Sequence, residues 1–173
     1  MNLNNIFKKV TGVALAATLS FGAFAGNAFA AAPSGSAEGD PTIPTLTKIV
    51  NTGDNGYFGG GEFTFTIAEV ELDKGQIYTG YNNQNGGNLL TLADDGIVEV
   101  GKGKNPQANL NLIARDLDND TTTAPGMYRY KITETDPKVS GMTIDERGSL
   151  YVDVFVRRTT TDGREIAYYI VHD

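Results

Sequence analysis

The sequence predicts an all-β protein with the architecture of an immunoglobulin-like two-sheet β-sandwich. Three observations carry this. Several segments built from aromatic and β-branched residues alternate apolar and polar positions with period two, the pattern of half-buried antiparallel strands. Clusters of Gly, Asn, Asp and Thr punctuate them at short intervals. The 173 residues, 40% of them hydrophobic, suffice for one modest core and not for two packed domains.

Met1–Ala30 opens with Lys8 and Lys9, continues through the small and apolar run Val10–Phe24, and closes on Ala28-Phe29-Ala30, the A-x-A pattern of a secretory cleavage site. It is read as a removed signal peptide. The rival reading, an uncleaved anchor, suits it less well, because Thr11, Thr18, Ser20 and Gly22 interrupt a stretch already short for a spanning helix. The chain is therefore not expected to be an integral membrane protein. Residues 31–44 (Ala31–Pro44) hold Ala, Pro, Ser, Gly and acidic residues with little to bury, and are expected to form a flexible linker.

Residues 45–173 are expected to form the sandwich. Its clearest strands are Leu46–Val50, Glu62–Ile67, Met127–Glu134 and Leu150–Val156; weaker ones are Gln76–Tyr81, Asn88–Leu92, Ile97–Val100, Leu110–Ala114 and Glu165–Val171. Turn chemistry lies between them at Asn51–Gly56, Gly59–Gly61, Asn82–Gly87 and Thr160–Gly163. The sequence shows no long helical pattern and no internal repeat.

Composition narrows the chemistry. A net charge of −7 argues against a nucleic-acid surface. The absence of cysteine removes thiolate catalysis, disulfides and thiolate zinc sites, and the single histidine, His172, leaves imidazole chemistry almost no foothold. No metal or other cofactor is expected. An exported domain without cysteine also lacks the usual extracellular cross-link, so another staple is worth seeking.

Face assignment supplies a candidate. Period two places Lys48 on the same face as Leu46 and Val50, and places Glu134 with Tyr128, Tyr130 and Ile132, while Arg129, Lys131 and Thr133 take the opposite, polar face. An ammonium and a carboxyl directed into an apolar sandwich are costly unless they pair or neutralise. A neutral lysine amine is a nucleophile, and a protonated carboxyl beside it can polarise an amide carbonyl and move protons. With an Asn carboxamide in reach, the products are a Lys–Asn isopeptide bond and ammonia. The plainer reading puts both residues at strand ends, with Lys48 snorkelling to solvent and Glu134 entering a loop.

These residues also carry a family resemblance. Leu46-Thr47-Lys48, the strand Glu62–Ile67, the segment Pro125-Gly126-Met127-Tyr128-Arg129-Tyr130-Lys131-Ile132-Thr133-Glu134, then Ile144-Asp145-Glu146 leading into Leu150–Val156, and finally Ile166–Val171, together resemble the pilin isopeptide-linkage domain of Gram-positive bacteria, of the streptococcal major backbone pilin type. The order and approximate spacing agree over Thr45–Val171. The resemblance implies a pilin-type sandwich in which Lys48 is the bond-forming lysine and Glu134 the catalytic acid, with no cofactor. It implies a structural protein of the cell surface, a pilus shaft subunit or adhesin stalk module, whose partners are other pilin subunits joined by sortase-type assembly and, in an adhesive role, a host surface ligand.

The family's acceptor Asn lies on a last strand beyond the one that Ile166–Val171 resembles, and here the sequence ends at His172-Asp173. Asn109, Asn111 and the loop asparagines do not stand in the matching place, so no acceptor is assigned. The domain is expected to be C-terminally incomplete, with an unpaired edge beside its first strand that invites strand addition; either the sequence is a piece of a longer polypeptide, the simpler reading, or another chain supplies the strand. A complete bond joining first and last strands would close a loop on the order of 100 residues, a stabilisation of roughly 4–5 kcal/mol by the chain-entropy model.

Other motifs are weaker. Asp116-Leu117-Asp118-Asn119-Asp120 has carboxylates at calcium-loop positions, but Thr121 and Met127 stand where Gly and Glu belong. Gly101-Lys102-Gly103-Lys104 lacks the remainder of a phosphate loop, Asn119-Asp120-Thr121 is a bare glycosylation triplet, and Asp94-Asp95 or Glu69/Glu71 are acidic pairs of a common kind. The competing functional class is a secreted carbohydrate- or ligand-binding sandwich with Tyr57, Tyr78 and Tyr81 as a stacking platform. A hydrolase is disfavoured by the missing nucleophile and base.

Overall fold

A computed structural model describes residues 15–21, 42–71, 82–135, 139, 142–144 and 149–172. In chain order the strands are β1 (Leu15–Phe21), β2 (Leu46–Asn51), β3 (Gly61–Val70), β4 (Asn83–Gln84), β5 (Leu90–Leu92), β6 (Ile97–Val100), β7 (Gln107–Leu110), β8 (Leu112–Ala114), β9 (Gly126–Glu134), β10 (Met142–Ile144), β11 (Ser149–Arg158) and β12 (Arg164–His172). One sheet runs β10-β1-β2-β7 and the other β12-β11-β9-β3-β6, with β4 added in parallel to β9 and a separate β5-β8 ribbon. The protein is all-β, and its two larger sheets share one core.

Alternation explains how that core is filled. Leu46 and Val50 of β2, Phe63 and Phe65 of β3, Val98 and Val100 of β6, Tyr128, Tyr130 and Ile132 of β9, and Leu150, Val152, Val154 and Val156 of β11 form a continuous buried cluster. Each set occupies every second position of its strand, with Lys48 filling the place between Leu46 and Val50, so one face of each sheet is withdrawn from water. Tyr130 brings a hydroxyl into this interior, and that oxygen accepts a hydrogen bond from the Leu89 backbone N–H at 2.8 Å.

Gly126 shows why the Pro-Gly start of β9 matters. Its φ is 155°, and a Cβ there would lie 2.4 Å from the Asn82 carbonyl oxygen. Without a side chain the carbonyl approaches closely enough to accept from the Met127 N–H at 2.9 Å, which anchors β4 against β9. The start of the strand is thereby fixed, and so is the register that carries Glu134 to its end.

Several details differ from the sequence reading. The expected strand Leu110–Ala114 divides at Asn111 into β7 and β8, which belong to different sheets. Asn88–Leu92 shortens to Leu90–Leu92, since Asn88 has a φ of 44° that no strand accommodates. Gln76–Tyr81 lies outside the described residues, as does most of 31–44. Arg129, expected on a polar face, is buried in an ion pair with Asp153. The edge of β2 expected to be bare is paired along its length with Leu15–Phe21, antiparallel, from Ala16↔Asn51 to Phe21↔Leu46. The rest of Met1–Ala30 lies outside the described residues. Among the described residues no helix is long and apolar enough to cross a membrane.

Candidate functional site

The site is built on three strands. β2 presents Lys48 between Leu46 and Val50, on the side that faces the second sheet. Position 48 is flanked in register by Ala108 of β7 and Leu19 of β1. β9 presents Glu134 at its last position, where it pairs with Phe65 of β3. The regular alternation Tyr128, Tyr130, Ile132, Glu134 directs the carboxyl toward the interior.

The two side chains meet. Lys48 Nζ lies 2.5 Å from Glu134 Oε2, and the side chains are 0% and 5% exposed. Lys48 therefore does not reach solvent. The Phe63 ring centroid is 4.4 Å from Nζ and that of Phe65 is 5.9 Å away, so aromatic faces lie against the amine. Glu134 Oε1 is buried without a hydrogen-bond partner. Moving one proton across the Nζ–Oε2 contact interconverts an ammonium–carboxylate pair and an amine–acid pair without displacing a heavy atom.

The asparagines on neighbouring elements serve other groups. Asn109 Oδ1 accepts from Thr47 Oγ1 at 3.3 Å, on the face of β2 opposite to Lys48. Asn105 Oδ1 accepts from the Thr52 N–H and hydroxyl, and Asn51 Oδ1 from the Gly53 N–H. The backbone carbonyl of Asn111 accepts from the Ala93 N–H.

A second buried ionic group went unread in the sequence. Arg129 Nε and Nη2 donate to Asp153 Oδ1 and Oδ2 at 2.6 and 2.7 Å, a bidentate pairing across β9 and β11, and His172 Nε2 lies 3.2 Å from Asp153 Oδ2. In the sequence Asp153 only interrupts the apolar run Tyr151–Val156; the register of β9 and β11 is what places it directly opposite Arg129. Arg164, also buried, donates to the Asp162 and Gly163 carbonyls of its own turn and to the Thr121 and Thr123 carbonyls, so the start of β12 clasps the loop that precedes β9.

The acidic loop satisfies itself. Asp120 accepts from the Thr123 and Thr122 N–H groups and the Thr123 hydroxyl, which hold its carboxyl well below the usual carboxylate range, and Arg115 pairs with it at 2.6 Å. Asp116 Oδ1 accepts from the Asp118 N–H. Of the candidate aromatic platform, Tyr57 is 69% exposed, while Tyr78 and Tyr81 lie outside the described residues.

The fold and the site together define a two-sheet β-sandwich with a lysine and a glutamate paired in its dry interior. The family model described as the FctA, Spy0128-like isopeptide containing domain matches residues 44–168. The chain belongs to this family, one of structural pilin domains. No curated protein and no solved structure matches it.

Proposed function

We propose that the chain is a subunit of a Gram-positive surface fibre, a pilus shaft subunit or stalk module, stabilised by an autocatalytic isopeptide bond. Met1–Ala30 serves as its export leader, 31–44 as a linker, and 45–173 as the sandwich module that joins other subunits through sortase-type assembly at the cell wall. In an adhesive setting the fibre meets a host surface ligand.

Lys48 is the nucleophile of this reading and Glu134 its proton shuttle. The neutral amine attacks the carboxamide carbon of an Asn on a strand laid against β2. Glu134 polarises the carbonyl, takes the proton that Nζ sheds and delivers it to the departing nitrogen. One C–N bond forms, one breaks, and ammonia leaves. No redox partner or cofactor takes part in this balance. The observation that carries the reading is the 2.5 Å contact between Lys48 Nζ and Glu134 Oε2 inside the core.

The test is intact mass of the protein isolated from its surface fibre, wild type beside Glu134→Ala and Glu134→Gln. The expected result is the loss of one ammonia in the wild type, a Lys48-containing branched peptide on digestion, and neither in the variants. A wild-type mass equal to that of the unreacted sequence overturns the proposal.

A further inference from the structure

An exposed tyrosine and two exposed lysines meet where the β3–β6 ladder runs out. The pairing of Gly61 with Val100 continues in the same register to Phe58 and Gly103, whose N–H groups donate to each other's carbonyls at 2.8 and 3.0 Å. Gly60, at a φ of 91°, breaks the alternation in between. Phe58 therefore turns into the core, with its ring centroid 6.1 Å from that of Phe63, and Tyr57 turns outward to 69% exposure. Lys102 and Lys104 flank Gly103 on the facing chain, both exposed, and the Lys102 stem lies over Gly60, its Cγ 3.3 Å from where a Cβ would stand. The residues between them on the two chains, Gly59, Gly60, Gly101 and Gly103, carry no side chain.

We infer that Tyr57, Lys102 and Lys104 form a binding site for a carboxylate-bearing sugar, a uronic or sialic acid unit, with the tyrosine ring as the stacking face and the two ammonium groups as partners of the carboxylate. This goes beyond the cross-linking reading and gives the adhesive role of the fibre a ligand class. It does not depend on a bond at Lys48.

Three observations support it. Among the described residues the other exposed cations are paired within the chain, Arg115 with Asp120 and Arg158 with Asp162, whereas Lys102 and Lys104 have no carboxylate partner there, in a chain of net charge −7. Tyr57 is the most exposed large hydrophobic side chain described, ahead of Ile113 at 52% and Ile97 at 41%, and a tyrosine ring left in water offers an apolar face with a polar tip. The backbone beneath the site is held from both sides: Asn105 Oδ1 accepts from the Thr52 N–H and hydroxyl, the Asn105 N–H donates to Thr52 Oγ1 at 3.2 Å, and the Val50 N–H donates to the Pro106 carbonyl at 3.0 Å. A ligand therefore has little backbone ordering to impose. The charge count selects a sparsely charged partner. Two lysines neutralise too few phosphates to hold a nucleic acid, and Asp54, Glu62 and Glu99 nearby in the two chains repel a dense polyanion. Lysine ammonium groups are point charges on flexible stems, suited to the single carboxylate that such a sugar carries.

The test is an amide NMR titration of the full chain with a sialyl-lactose trisaccharide, a hyaluronan hexasaccharide and neutral lactose. Saturable shifts at Tyr57, Gly59 and the amides of 101–104 are expected with an acidic sugar and not with lactose, and added salt should weaken them. Response to sialyl-lactose alone assigns a terminal sugar, response to hyaluronan alone a repeating uronate, and either supports the site. Tyr57→Ala, and Lys102→Gln combined with Lys104→Gln, are each expected to lose the shifts, while Tyr57→Phe keeps them. All three positions are exposed, so the amide spectrum elsewhere should stay unchanged and report an intact fold. Acidic sugars that shift none of these amides, lactose that shifts them equally, or inorganic phosphate that replaces the sugars without loss overturns the site. Intact mass reads the bond at Lys48 separately, so either proposal can fail while the other stands.

Discussion

Lys48 Nζ and Glu134 Oε2 stand 2.5 Å apart although 86 positions separate them in the chain. Each belongs to a different sheet, so the contact spans the sandwich. Removing two charges from water costs about as much as their attraction returns, and well-packed apolar residues of similar size commonly serve stability as well or better. Stability alone therefore gives this pair no reason to exist.

The energetic consequence can be measured. Glu134→Ala leaves a buried ammonium without its carboxylate and is expected to cost about 3–5 kcal/mol, whereas Lys48→Met combined with Glu134→Leu should recover most of that loss. Urea unfolding of the full chain gives both values. A double variant as unstable as the single one would show that the pair itself supports the fold.

Tyr130 is expected to be nearly as sensitive through one atom. Its hydroxyl is the acceptor for the buried Leu89 N–H, and Tyr130→Phe strands that donor, a loss of about 1–3 kcal/mol. Urea unfolding checks it, with Tyr57→Phe at an exposed site as the neutral comparison.

Alkaline unfolding should follow the tyrosines. Burial pushes Tyr130 and Tyr169 up to about 12, so the fold holds their phenol protons more tightly than the unfolded chain does. Because the folded value is the raised one, the stability linked to these groups is complete below about pH 10 and disappears as pH climbs through about 12. Phenolate absorbance followed alongside unfolding tests this; Tyr130→Phe should flatten part of the slope.

The acid side has the opposite sign. Asp120 titrates below the ordinary carboxylate range because the Thr123 N–H and hydroxyl and the Thr122 N–H favour its charged form. Its contribution is therefore present above about pH 4 and is lost as pH falls toward the lowered value. Proton NMR of the Thr122 and Thr123 amides through that range should report the release, and Asp120→Asn should remove the transition.

Arg129 and Asp153 form the other test of buried charge. Asp153→Ala abandons a guanidinium that is itself buried, and is expected to cost about 3–5 kcal/mol, with a large coupling in a double-mutant cycle against Arg129→Met. His172→Ala removes only the more exposed third member and should cost far less.

How much the sequence disclosed depended on what each residue needed. Period-two alternation was enough to read the strands around Phe63, Tyr130 and Val154, because each strand buries one face, and it put Lys48 and Glu134 on the inward faces, but it left open strand-end positions from which both would reach solvent. It could not reveal Arg129–Asp153, since the same alternation labels that face as exposed until the cross-strand register is known. Leu110–Ala114 misled for a related reason: its composition suits one strand, but the sheet switch at Asn111 is decided by partners distant in the chain. Nor does the apolar N-terminal run announce that part of it pairs with β2, because Leu-Ala-Ala-Thr-Leu-Ser-Phe carries no register signal of its own.

The Phe63 and Phe65 rings bear on durability as well as placement. An amide made at Lys48 Nζ would be severed only by water reaching its carbonyl carbon, and the aromatic faces that lie against the amine obstruct that route. With ammonia gone into bulk solvent, a bond closed there would be hard to hydrolyse or reverse, so the proposed closure would run in one direction.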